Sequence, residues 1–97
     1  MRPEGFDWDD AKHELNVRKH QLGFDQARRV FEDSMQMTEY DDRFDYGEAR
    51  YRAWGLLDDK PHCLVLTVRN GTVRAISLRR AHRKELDHHV PKDADRS

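Results

Sequence analysis

Residues 63 to 80 constrain the fold most, because two β-rich runs meet there at Asn70-Gly71. A two-residue type I′ hairpin needs positive φ at both central positions, and Asn-Gly meets that need at low steric cost. So short a loop also fixes the register. Pairing Val68 with Val73 puts Leu64, Leu66, Val68, Val73 and Ala75 on one face, with Ser77 and Arg79 continuing it. Thr67, Arg69, Arg74 and Arg80 fall on the other face. That face also carries Val65, Ile76 and Leu78, so it is expected to be partly covered by the last helix or by a partner.

The rest of the chain is built around this sheet. Asp7 precedes Trp8, Ala11, Leu15 and Leu22, and is expected to cap a helix bearing them as an apolar stripe and ending near His20. Asp9 and Asp10 at its start, with Arg18, Lys19 and His20 at its end, suit the helix dipole. After Gly23, Asp25 is expected to cap a short second helix with Ala27, Val30 and Phe31 inward. From Met35 to Tyr40 the pattern turns to period two, a first strand with Met35 and Met37 on one side. Residues 41–47 read as an acidic, aromatic loop, residues 49–57 as a strand with Arg50, Arg52 and Trp54 on one face, and residues 58–61 as a turn. A helix from Ala81 to about Val90 follows, then Pro91 and a mobile tail over residues 91–97. The expected class is α+β: two N-terminal helices, a four-stranded antiparallel sheet and a C-terminal helix, in a single domain spanning 1–97.

Charge divides the function classes. Charged residues make up 38% of the chain, which admits disorder, but the nine aromatics and the alternating run from Cys63 favour a folded domain. The net charge of −1 conceals an asymmetry: residues 1 to 59 hold nine Lys/Arg against fifteen Asp/Glu, and residues 60 to 97 hold nine against four. Seven basic residues and no acidic one lie between Lys60 and Lys84. This cationic stretch is either a phosphate-binding surface or a solvated face balanced by acids of the first half. Cys63 is the sole cysteine and lies in an apolar run, so a buried structural thiol and a reducing, cytoplasmic setting are expected. No apolar stretch approaches the length of a membrane span, and no signal-type segment is visible at the start.

Phe6-Asp7-Trp8-Asp9-Asp10-Ala11-Lys12, Asn16, Lys19-His20, Phe24, Ala27 and Val30-Phe31-Glu32-Asp33 resemble the opening half of BrnT proteins. Gly47-Glu48-Ala49-Arg50, Gly55, Ile76-Ser77-Leu78-Arg79-Arg80-Ala81 and Glu85 are similar to the second half, so the resemblance covers roughly residues 6 to 86. Gly-Glu-x-Arg alone is weak, whereas the ordered set is specific. The chain departs from the usual pattern at His13, at Gln21-Leu22-Gly23 and at Leu78. The resemblance implies a bacterial ribonuclease toxin with the RelE-type fold, needing no metal. It further implies neutralisation by a ribbon-helix-helix antitoxin of the BrnA type, in a complex, expected as a heterotetramer, that binds promoter DNA through the antitoxin.

The residue chemistry points the same way. Metal-free RNA cleavage needs activation of a 2′-hydroxyl, stabilisation of charge at phosphorus and a proton for the 5′-oxygen. Arg79 and Arg69 are candidate phosphate clamps, with Arg50 reaching the same site, because a planar guanidinium forms paired bonds and stays charged. The alternative for each is a salt bridge to an acid of the first half. Glu48 serves as a base or orients Arg50 or Lys19. His20 transfers a proton or caps the first helix. Lys19, Arg80 and Arg83 contact RNA backbone or remain solvated, and Arg80 and Arg83 are also antitoxin contacts in prospect. Trp54 and Tyr51 suit base stacking, although core packing is the simpler role for Trp54. His82, Glu85 and His89 share a helical spacing, but a catalytic zinc needs an oriented second shell, and no metal site is assigned. No Walker motif or Ser-His-Asp order is present, so no cofactor is expected. The rival reading is a non-catalytic module binding nucleic acid or protein, and a third is a subunit dimerising through Val65, Ile76 and Leu78.

Overall fold

The computed structural model of the chain describes residues 5–33, 38–43 and 45–85. Five strands form one mixed sheet: β1 (Phe6–Trp8), β2 (Thr38–Tyr40), β3 (Tyr51–Leu57), β4 (Lys60–Arg69) and β5 (Thr72–Arg80), in the order β1-β5-β4-β3-β2. Helix α1 (Asp10–His20) follows β1, and a 3-10 turn (Phe24–Gln26) leads into α2 (Ala27–Asp33). The α+β class holds, but the sheet has a fifth strand. Phe6–Trp8, expected as the approach to a helix, pairs in parallel with Val73 to Ala75. Three residues carry too short an alternation to be told from a helix lead-in.

The strand displaces the expected caps. Asp9, not Asp7, caps α1, its Oδ1 accepting the Lys12 N–H at 3.1 Å. Asp7 is a strand residue whose carboxylate accepts from Arg74 at 2.6 Å. Helix α1 ends at His20 as expected, where Gln21 takes the left-handed conformation and donates its N–H to the Val17 carbonyl at 2.8 Å. Asp25 lies inside the 3-10 turn rather than capping α2, and Gly23 precedes that turn without a side-chain cap. His13 does the capping instead: its Nδ1 accepts the Phe24 N–H at 3.0 Å while its ring stacks on Trp8.

The inward stripe expected of α1 is not the one observed. Leu15 is 59% exposed and Ala11 is exposed, whereas Asn16 is buried. β1 pairs with β5 only as far as Ala75, leaving the outer edge of the following residues open. Asn16 closes that edge. Its Nδ2 donates to the Leu78 and Leu22 carbonyls, both at 2.8 Å, and its Oδ1 accepts the Leu78 N–H at 3.0 Å. Burial of an amide is tolerated because its bonds are made.

The hairpin has the expected register, Val68 opposite Val73, with Asn70 and Gly71 at φ 52° and 77°. Farther along, the pairing slips: Leu66 faces Ala75 but Val65 faces Ser77, so Ile76 is an extra residue in β5. A bulge of one residue exchanges the faces of all that follows. Leu78 therefore turns into the core with Leu64, and Arg79 turns away from it to lie opposite Cys63, the reverse of the expected assignment. Arg80, expected beside Arg69 and Arg74, ends opposite His62 on the helix-covered face. Val68 is 51% exposed, because the core beneath the hairpin ends at Leu66 and Ala75.

The core lies between this sheet face and the helices: Phe6, Phe24, Ala27, Val30, Ala53, Leu57, Leu64, Leu66, Ala75 and Leu78 form one buried cluster. Gly55 of β3 lies so close to α2 that a Cβ there would stand 2.5 Å from the Val30 carbonyl oxygen. Asp33 at the end of α2 accepts the Leu56 N–H, which joins the helix to the strand. Beyond the β2 pairing, which ends at Ala53, this bond satisfies a donor of β3 that no strand reaches. β2 falls within the expected strand; Met35 and Met37 lie outside the described residues, as does most of the expected C-terminal helix, of which residues 83–85 are helical.

Candidate functional site

The sheet face away from α2 carries the arginines. Along β3 and β4, Arg52 and Trp54 lie beside Val65 and Cys63, and Thr67 and Arg69 follow on the same side. Arg74 and, after the bulge, Arg79 join them from β5. This face has two poles. Six residues separate Cys63 from Arg69 along β4, a distance of roughly 20 Å at the rise of a strand.

At one pole Arg79 is held by Glu85. Its two terminal nitrogens donate to the two carboxylate oxygens, at 2.5 Å for Nη2 and 3.2 Å for Nη1. The paired guanidinium holds the Glu85 carboxyl down at about 2 and pushes Arg79 further above its ordinary value. Trp54 closes the pole from below, fully buried, with its indole N–H 3.5 Å from Glu85. Cys63 is 1% exposed, and burial pushes its thiol up to about 11, so it is a packing residue. His20 reaches this pole from the end of α1. Burial lowers its pKa first, and the charges of Lys19 and Arg79 lower it further, which favours the neutral ring.

At the other pole Glu48 is shared. Arg69 donates to it through Nε at 3.1 Å and Nη2 at 2.9 Å, and Arg50 approaches it at 3.8 Å. Arg50 lies over the Tyr46 ring, 4.2 Å from its centre, and Arg52 over Trp54 at 5.0 Å. Stacking holds both guanidinium planes while their buried Nε atoms have no hydrogen-bond partner among the described residues.

Thus Arg50, Arg69 and Glu48 come together, Arg79 stands at the opposite pole rather than with Arg69 and Arg50, and His20 lies near enough to Arg79 for its charge to act on the ring. Lys19 is exposed beside His20. Arg80 is exposed on the other side of the sheet, and Arg83 extends to the Asp59 carbonyl at 3.5 Å, so neither lines the arginine face. The salt-bridge alternative is realised for Arg50 and Arg69 through Glu48, and for Arg79 through an acid of the second half.

Three contributors went unforeseen. Arg52, paired with Glu39 at 2.6 Å, joins the two poles, and its shared face with Trp54 was the available signal. Arg43 extends the charge near Arg79 and is fixed by Asp41, a buried carboxylate that accepts from Arg43 and from the Tyr46 hydroxyl and is held well below the usual carboxylate range. Nothing in the spacing of residues 41–47 marks that loop as self-locking. Glu85 was visible as a motif residue, but its pairing with Arg79 depends on the bulge.

The arrangement offers cationic clamps at both ends of one face and an imidazole near one of them. Among the described residues no group of His, Cys, Asp and Glu is placed to hold a metal ion, and no helix is long and apolar enough to cross a membrane. No curated protein matches the chain significantly. A family model described as the ribonuclease toxin, BrnT, of type II toxin–antitoxin systems matches residues 8–85, from the parallel strand to the carboxylate that holds Arg79.

Proposed function

The chain belongs to the BrnT family of ribonuclease toxins of type II toxin–antitoxin systems, and from that premise we propose a metal-independent endoribonuclease that cuts at the pole formed by Arg79 and His20. Arg79, fixed by Glu85 through both terminal nitrogens and near enough to His20 for its charge to act on that ring, is the observation that carries this reading. In the proposed step His20 accepts the proton of a ribose 2′-hydroxyl, and the 2′-oxygen attacks the adjacent phosphorus. Arg79 binds the non-bridging oxygens as charge builds, and the P–O5′ bond breaks with the leaving oxygen taking a proton from solvent. Glu85 positions Arg79. Arg69 and Arg50, oriented by Glu48, grip phosphates several nucleotides away, and Arg52 lies between them. Lys19 adds charge beside the cut, and Arg80 and Arg83 are left to backbone or protein contacts outside the arginine face.

In this proposal cleavage takes place in the cytoplasm and stops translation. The antitoxin that the family implies is of the BrnA type, with a ribbon-helix-helix domain through which a heterotetramer binds DNA. The chain acts as one domain over 1–97. A second reading has an observation of its own: each arginine of the face already has a carboxylate, which suits a binding module that exchanges one set of carboxylates for another.

Incubating the purified protein with mixed RNA in EDTA, with and without ribosomes, separates the two. Cleavage that survives chelation, falls at least a hundredfold in Arg79→Ala and falls less in Arg50→Ala is the expected result. Folded wild type that leaves RNA intact under both conditions selects the binding module.

A further inference from the structure

Between α1 and the outer edge of β5 lies a groove of about 510 Å³. Leu15 and Ile76 supply its apolar surface, and Lys12, Arg18, Lys19 and His20 stand around it. Lys12, Leu15 and Lys19 recur along one side of the helix, three and four residues apart. Elsewhere the fold matches arginines with carboxylates: Arg28 with Glu32, Arg29 with Asp58, Arg74 with Asp7 and Arg79 with Glu85. Lys12, Arg18 and Lys19 form no such pair among the described residues. Among the same residues Lys60, Arg80, Arg83 and Lys84 lack a carboxylate pair as well, but Lys12, Arg18 and Lys19 stand together around an apolar floor.

We infer that this groove is where the protein partner docks, through an acidic amphipathic segment whose apolar side covers Leu15 and Ile76 and whose carboxylates meet Lys12, Arg18 and Lys19. This rests on the toxin reading, which supplies an antitoxin as the partner. The floor decides between protein and RNA. A leucine 59% exposed is matched by apolar side chains from a partner, not by a phosphate backbone. Because His20 lines the same groove, an occupant there also covers the proposed base, while the arginine face stays open.

The experiment uses the full chain and the antitoxin co-expressed with it, in wild type, Leu15→Glu and Lys12→Glu forms. Neither residue belongs to the cleavage machinery, and glutamate is a good helix former at an exposed position. Each change is expected to weaken antitoxin binding by about tenfold or more, the Lys12 effect shrinking as salt rises, with RNA cleavage by the free protein within about twofold of wild type. Hydrogen exchange in the complex is expected to slow at residues 12–20 and 76–77. Antitoxin affinity unchanged in both variants overturns the inference. So does weaker RNA binding with antitoxin affinity intact, which makes the groove an RNA surface. A free protein that changes from dimer to monomer on Leu15→Glu, with antitoxin affinity intact, also overturns it and assigns the groove to a second copy. If wild type cleaves no RNA yet the variants lose the antitoxin, the nuclease reading fails and the docking site stands.

Discussion

Replacing Gly55 by alanine tests the closest approach in the fold. The new Cβ would stand 2.5 Å from the Val30 carbonyl oxygen, a backbone atom in the middle of α2. An unstrained carbon–oxygen contact is about 3.3 Å, so the helix must retreat by roughly 0.8 Å. Ala27 and Val30, both fully buried, move with it, and the Asp33 bond to the Leu56 N–H stretches. Overpacking of this kind costs about 1–3 kcal/mol, and removing a strand glycine returns about 0.5–1 kcal/mol. The net expectation is a loss of about 0–2.5 kcal/mol, with a mid-range loss of about 1 kcal/mol lowering the melting temperature by about 4–8 °C for a domain of this size. Thermal unfolding followed by circular dichroism reads it directly. Gly55 shares a sheet side with Ala53, opposite the arginines, so RNA affinity of the folded variant should match wild type. A melting temperature above wild type would refute the claim that α2 and β3 are in backbone contact here.

Asn16→Leu leaves the Leu78 N–H, the Leu78 carbonyl and the Leu22 carbonyl without their side-chain partner. A loss of about 2–4 kcal/mol in urea unfolding is expected, and a neutral result would show that Asn16 does not seal the edge. His20 has a folded-state pKa below its ordinary 6.5, so between those values the unfolded chain binds more protons, and stability is lost as pH falls through that window. The same sign centres the acid limb of the kcat/KM profile below pH 6.5, and a limb centred at or above 6.5 would remove His20 as the base. Asp59→Gly relieves a left-handed residue at φ 64° in the β3–β4 turn and is expected to raise stability by about 0.5–1 kcal/mol. A drop instead would mean that the Asp59 side chain stabilises the turn.

The hairpin and its register were legible because Asn70-Gly71 is a local signal and a short loop has no freedom to re-register. The burial of Trp54 and Cys63 and the end of α1 at His20 followed from equally local patterns. What failed was long-range. β1 exists only because β5 offers an edge, and no feature of Phe6-Asp7-Trp8 alone distinguishes a three-residue strand from a helix lead-in. Asn16 turns inward because that edge needs bonds, which outweighed the apolar claim of Leu15. The candidate site divided along the same line: Glu48, Arg50 and Arg69 lie near one end of the hairpin and could be grouped from register alone. The setting of Arg79 depended on one unpaired residue, Ile76, in a run whose hydrophobicity reads smoothly on either side.

That residue gives the last strand a parity. Between Val73 and Ala75 odd numbers face the core, and from Leu78 onward even numbers do. Pairing the same residues without the bulge would therefore invert the strand's far half, burying a guanidinium and bringing a leucine to the surface, while every side chain kept its chemistry. Two pairings of this one strand sequence thus differ in whether Arg79 lies on the arginine face or in the core.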